Sequence, residues 1–291
     1  MRFSGHDTFH CKEQWLMKGI QLIEKEEVES VFKDSFAVPK LGVGKNMVRA
    51  IQHWLKAFDI LNDDNSFGEL AKVLFLDNKF DPYLENEGSL WLLQYHLCKK
   101  GYASINQIIF KDYFSDKATL EFSESQILSF LRRQYTSAKK TTDKTLISDY
   151  KVFLKTYAPP KKNTKTVEDD FNAPLLGLNL ISNTGRRNNS NDVVYRVNRG
   201  LQKNISPEIF IYCLLTEYGD SIAISFDEIR RNLGSYLCLS SEGLESIIDK
   251  ICDRYKEFVY KDDAGVRQLQ IKNVGKYYKI KVLEKHYELY R

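Results

Sequence analysis

The stretch from Leu41 to Leu61 constrains this chain more than any other. Gly42 and Gly44 permit a tight turn, and Val48, Ile51, Leu55 and Phe58 then recur at steps of three, four and three residues. That spacing places apolar side chains along one side of an α-helix. Lys45, Arg49, Gln52 and Lys56 step along a different side of the same helix, and Asn46 stands beside Lys45. One face is built to pack and the other to make contact. Gly42-Val43-Gly44-Lys45 lacks the longer spacing and the preceding strand of a phosphate-binding loop.

A glycine turn leading into such a helix resembles the turn and recognition helix of winged helix-turn-helix proteins, with residues 67–76 supplying a wing or a following helix. A plain helical hairpin with a solvated basic face fits the same residues. Further helices are expected over 14–26, over 89–99 with Ser89 as N-cap and Gly101 as stop, over 123–135, and over 144–157, which Pro159 and Pro160 end. Two strands are expected at 175–181 and 193–197, separated by a polar tip that carries Arg186 and Arg187. Ser206-Pro207-Glu208 opens a helix to Tyr218. A strand near 222–224, helices over 226–233 and from Ser240 or Ser241 to Arg254, and a hairpin from Phe258 to Ile271 follow. The order helix, strand, helix, helix, hairpin is that of a winged helix.

The reading is a mainly α chain with short β-hairpins, an α+β fold of tandem winged helix-turn-helix-like modules. With 291 residues, more than one compact unit is expected. They are an N-terminal winged-helix-like domain with its strap (1–117), a basic helical module with a hairpin (118–204), and a C-terminal winged helix (205–291). The last has Glu242, Glu245, Asp249 and Asp253 on its would-be recognition helix, the wrong sign for phosphate, so a protein contact is expected there.

Charge enters through its distribution. The formal net charge is +4, yet between Arg132 and Lys165 the basic residues Arg132, Arg133, Lys139, Lys140, Lys144, Lys151, Lys155, Lys161, Lys162 and Lys165 face two acids, Asp143 and Asp149. The rest of the chain is therefore net acidic. Such a lysine run suits a phosphate backbone, and it equally suits a solubilising surface. Five cysteines without a CxxC pair point to buried thiols rather than a zinc site or disulfides. No membrane-spanning or signal segment is read, so a cytoplasmic protein is expected.

His6, Asp7 and His10 are the best candidates for metal chemistry, since an i, i+4 histidine pair on a helix could ligate a divalent ion. An ordered N-terminal strap explains them as well, and no second carboxylate stands at a fixed spacing. Hydrolase and dinucleotide signatures are missing, so no cofactor and no enzyme activity are expected. The expected contacts to double-stranded DNA are Lys45, Asn46, Arg49, Gln52, Lys56, Lys139, Lys140, Lys144, Lys151, Lys155, Arg186 and Arg187.

Phe3-Ser4-Gly5-His6-Asp7-Thr8-Phe9, Trp15-Leu16-Met17-Lys18-Gly19, Leu41 to Val48, Asp81 to Glu85 and Ser89 to Leu93 together resemble a bacterial family known as domain of unknown function four thousand and seven. Asp7 stands where the family pattern has glutamate. The resemblance implies genes beside sulfur-transfer proteins similar to phosphoadenosine-phosphosulfate reductases, in islands for DNA phosphorothioation or phage defence. It carries over no catalytic residues. The resulting expectation is a DNA-binding accessory protein with partners from such an operon. The alternatives are an adaptor that docks a sulfur-transfer or ATPase partner and, behind it, a metal-dependent nuclease.

Overall fold

A computed structural model describes residues 1–25, 31–77, 79–115, 117, 119–159, 172–219, 221–263, 265–272, 274–275 and 278–289. Lys161, Lys162 and Lys165 lie outside the described residues. The chain is α+β and helix-rich, with two small antiparallel sheets. Among the described residues no helix is long and apolar enough to cross a membrane.

Helices α1 (Glu13–Lys25), α2 (Asp34–Leu41) and α3 (Lys45–Ala57) pack on one another. The turn between α2 and α3 forms as expected: Gly42 takes φ 65°, and its N–H closes α2 on the Val38 carbonyl. Val48, Ile51, Leu55 and Phe58 are all fully buried. After the acidic turn the chain forms α4 (Glu69–Leu74), the helical choice rather than a wing.

Helix α5 (Glu87–Lys100) ends at Gly101, φ 60°, but starts earlier than expected. Its N-cap is Asn86, whose side chain accepts from the Gly88 N–H. Ser89 lies inside the first turn, where its hydroxyl donates to Asp81 Oδ2 at 2.6 Å and meets the Tyr287 hydroxyl at 2.7 Å. The buried carboxylate competes successfully for that hydroxyl. Helix α6 (Ser104–Gln107) then runs into a π-helical turn, Ile108–Asp112.

Strand β1 (Glu121–Phe122), α7 (Glu124–Gln134), α8 (Thr136–Lys139) and α9 (Asp143–Tyr157) follow. The strand expected at 175–181 is displaced. Pro174 opens a 3₁₀ turn, Pro174–Leu178, and Asn179 leaves it at φ 50°. Strand β2 therefore occupies Ile181–Arg187 and pairs with β3 (Val193–Val197), which also takes β1 on its other edge. Arg186 and Arg187 thus belong to the end of a strand rather than to a loop tip.

The C-terminal part keeps the expected order: α10 (Pro207–Tyr218), β4 (Ala223–Ser225), α11 (Phe226–Ile229) with a π-helical turn at Arg230–Gly234, α12 (Ser241–Arg254), β5 (Phe258–Asp263) and β6 (Val266–Ile271). Ser206 and Ser240 cap α10 and α12 by accepting backbone N–H bonds from Ile209 and Gly243. Strand β6 lies between β4 and β5. A last helix, α13 (Tyr278–Glu288), packs on α10.

Helix α5 is buried on all sides, with Trp91, Leu92, Leu93, Tyr95, Leu97 and Cys98 all inaccessible. An all-round apolar helix of this kind belongs at the centre of a core. It touches α3, α6, α10 and the 3₁₀ turn. Its polar groups reach outward to every part of the chain. Gln94 donates to the Tyr236 carbonyl at 2.9 Å and accepts from the Tyr157 hydroxyl at 2.7 Å, while His96 lies between Asp59 and Tyr212. Side chains from 1–117, 118–204 and 205–291 all join one buried cluster around it.

Candidate nucleic-acid interface

The N-terminal segment is not helical. Residues 5–9 turn back on themselves, with the Phe9 N–H on the His6 carbonyl at 2.8 Å. The i, i+4 spacing of His6 and His10 therefore does not place them on one helical face. Ser4, Gly5, Asp7 and Thr8 have φ of 76°, 106°, 44° and 68°. So many left-handed residues in five positions persist only where surrounding contacts over-determine them.

Those contacts come from three helices. The Ser4 N–H reaches both oxygens of Asp149 on α9, at 3.1 and 3.0 Å. His6 Nε2 lies 2.9 Å from Asp149 Oδ1, while His6 Nδ1 accepts the Thr8 N–H at 3.2 Å. The latter bond puts the ring proton on Nε2, which donates to Asp149. Trp54 on α3 donates to the Phe9 carbonyl at 3.0 Å, and the Arg2 N–H bonds Ser104 on α6 at 2.8 Å. The segment is a strap that ties α3 to α9. Asp149 had registered in the sequence only as an acid within a basic run; nothing in its spacing links it to His6.

His53, also on α3, lies beneath this strap and edge-on to His6 and Trp54. Neither ring nitrogen has a hydrogen-bond partner. Burial first, then the charges of His6 and Arg2, push its pKa down to about 3. His53 is therefore a neutral core group at neutral pH. Among the described residues no three His, Cys, Asp or Glu side chains converge as a metal-holding group.

The contact face of α3 is exposed at Lys45, Asn46 and Arg49 and half-buried at Gln52 and Lys56. Its charge is largely answered within the fold. Arg49 Nε donates to Asp7 at 2.8 Å, and its Nη2 reaches Asn46 at 2.7 Å. Gln52 donates to Asn65 at 3.0 Å, and Lys56 to the Asp63 carbonyl at 2.7 Å. Arg49 thus stands against Asp7, and Lys56 feels Asp63 and Asp64 as well as the cations Arg2 and Lys100. A surface pair such as Arg49–Asp7 contributes at most about 1 kcal/mol, so the buried stripe, not the ion pair, sets the position of the helix.

The lysines of the middle region are differently placed. Lys139 and Lys140 are exposed at the end of α8, and Lys144, Lys151 and Lys155 are exposed on α9. At roughly 100° per residue, these three lie about 200–240° around α9 from Asp149. They form one stripe on the side turned away from the strap. Asp143, the acid nearest to them in sequence, is taken up by Arg132. The α3 face and the α9 stripe are consequently not joined through α9. Arg186 and Arg196 both hold Glu121, and Arg187 donates to the Asn191 carbonyl.

A family model described as "Protein of unknown function (DUF4007)" matches residues 3–287. The chain belongs to this family. No curated protein matches it. Two solved structures share the fold of this DUF4007 member. One is a crystal structure of SspB, with TM-score 0.80 and 23% identity. The other is a magnesium-ion-bound crystal structure of SspB, with TM-score 0.77 and 21% identity. Each similarity covers 98% of this chain and 88% of the other.

Proposed function

We propose that this protein is a DNA-binding accessory component of a bacterial DNA-modification or phage-defence system, phosphorothioation being the chemistry that the family resemblance suggests. In this reading winged-helix-like modules at 1–117 and 205–291 flank a basic helical module with a β-hairpin at 118–204, and its work is binding rather than chemistry. The observation that carries it is the stripe of Lys144, Lys151 and Lys155, continued by Lys139 and Lys140, all exposed. Exposed lysines along one side of a helix suit the phosphate backbone of duplex DNA. The α3 face, with Arg49 partly answered by Asp7, adds less. The exposed acids Glu242, Asp249 and Asp253 of α12 would repel DNA and suit a basic protein partner from the same system.

Fluorescence anisotropy with duplex DNA tests this. Affinity should fall steeply between about 50 and 200 mM salt. Lys144→Glu with Lys151→Glu should weaken binding by about tenfold or more at low salt, and Lys45→Glu with Arg49→Glu by less. Unchanged affinity in both double variants would overturn the reading.

A second reading, metal-dependent DNA cleavage, is favoured by one observation: one of the two structural neighbours is magnesium-bound. Magnesium needs few protein ligands, because waters and substrate phosphates complete its shell. Incubating the full chain with supercoiled plasmid, with magnesium and with EDTA, separates the two. Magnesium-dependent conversion to nicked or linear plasmid supports cleavage, and intact plasmid in both arms supports binding without it.

A further inference from the structure

The π-helical turn that follows α6 ends in Lys111 and Asp112, and the one that follows α11 begins with Arg230 and Arg231. Such turns are rare within helices and occur frequently at functional sites. These two, distant in sequence, line the same groove of about 480 Å³ beside the end of α7. Lys111, Lys117, Arg199, Arg230 and Arg231 supply its cations.

The acids that could answer them are already engaged. Among the described lining residues the acid is Asp112, whose carboxylate accepts from the Tyr135 hydroxyl at 2.7 Å. Arg230 also touches Asp227 at 3.2 Å. Arg199 donates Nη2 to the Phe110 carbonyl at 2.9 Å, but its Nε is buried with no hydrogen-bond partner. A buried guanidinium N–H without an acceptor is costly, and an arginine cannot relieve the cost by losing its charge. The lining is also aromatic: Phe130 and Tyr135 are half-buried at the groove, their rings 6.0 Å apart, and Phe114 is buried there.

We propose that this groove binds a nucleotide, its phosphate held among Arg199, Arg230 and Arg231 and its base against Phe130 and Tyr135. Planar guanidinium forks match phosphate oxygens, and aromatic faces accept any base by stacking. The volume lies in the range of small-ligand sites. The nucleotide comes either from an unpaired DNA strand or from a free nucleoside triphosphate. This goes beyond duplex binding on α9 and shares no residue with that stripe.

The test uses the full chain and three probes: a short fluorescent single-stranded oligothymidylate, a duplex of matched length, and ATP. Arg230→Glu with Arg231→Glu changes two exposed side chains, and an unaltered melting curve confirms that the fold survives. Lys111→Gln provides a milder second variant. If the groove takes a strand, the double variant weakens oligothymidylate by about tenfold or more while duplex affinity stays within about twofold. If it takes a free nucleotide, wild-type protein binds ATP and the double variant loses it. The proposal is overturned if wild-type protein binds neither oligothymidylate nor ATP, if the variants bind them as wild type does, or if strand and duplex weaken equally. Lys144→Glu with Lys151→Glu should weaken duplex alone, so failure of the duplex reading and failure of the groove are distinguishable.

Discussion

Two residues of the N-terminal strap carry opposite kinds of constraint. Gly5 sits at φ 106°, and a Cβ there would come within 2.7 Å of His53 Nδ1 and 2.9 Å of the Arg2 guanidinium. Arg2 can swing aside; the buried His53 ring cannot. Gly5→Ala should therefore destabilise the protein by about 1–3 kcal/mol, with strain and clash adding, and a urea midpoint equal to wild type would refute the argument. His53 acts through pH. The unfolded chain protonates it near 6.5, whereas the folded protein holds it neutral down to about 3. Between those values the unfolded state binds the extra proton, so stability is full above pH 6.5 and is lost as pH falls through the window. At pH 5 this one site should cost about 2 kcal/mol, and burial, which also lowers the pKa of His286, acts with the same sign. The drop in urea midpoint from pH 7 to pH 5 should shrink in His53→Leu. An identical drop in both proteins would show that His53 is not its source.

At the scale of elements, the start of α5 is the sharpest case. Asn86 accepts from the Gly88 N–H at 2.7 Å and also meets His286 Nε2 of α13 at 3.0 Å. It therefore caps one helix and docks another. Asn86→Ala should cost about 1 kcal/mol for the cap and more for the bond to His286 Nε2 that is lost with it, whereas Asn86→Asp should keep most of the stability. Chemical denaturation of the two variants decides this, and equal losses would remove the capping role. Sequence placed the helix but not its cap, because Ser89 is as good a capping type as Asn86 and the competing carboxylate of Asp81 is revealed only by the fold. The amphipathic or capped helices α1, α3, α7, α9, α10 and α12 were legible for a local reason: their apolar spacing or their caps lie within one segment. Helix α13 was not, since Lys279 and Lys281 alternate with Ile280 and Val282 in a strand-like period of two. The strand at Ile181 was displaced because Pro174 and Asn179 favour a turn that the run of leucines obscures. The cations at the π-helical groove share no segment and no periodicity, so only the fold, which brings both π-helical turns to one groove, assembles them.

For the molecule as a whole, charge and core are organised on different principles. The cations are dispersed over surfaces that the sequence could list but not orient: Asp149 turns inward to hold the strap, and by doing so it turns Lys144, Lys151 and Lys155 outward. The core is continuous, and α5 is its centre. Gln94, His96 and Ser89 bond to groups on α9, α10 and α13 and on the helical turn that continues the π-helical turn after α11, so no third of the chain can open without stranding buried polar atoms of α5. Stranding such groups costs about 1–3 kcal/mol each, and the coupled parts should unfold together. The positions of the tryptophans make this measurable. Trp15, Trp54 and Trp91 all lie in the first third, so their fluorescence reports that part and its packing partners, whereas far-ultraviolet circular dichroism reports helices throughout. Under denaturant the two signals should trace a single coincident transition. If fluorescence and dichroism separate, the first 117 residues unfold as an independent unit, and the buried bonds of α5 are too weak to couple it to the rest. Gln94→Leu, which breaks the links to Tyr157 and Tyr236, should widen any gap between the two curves before it changes either affinity for DNA.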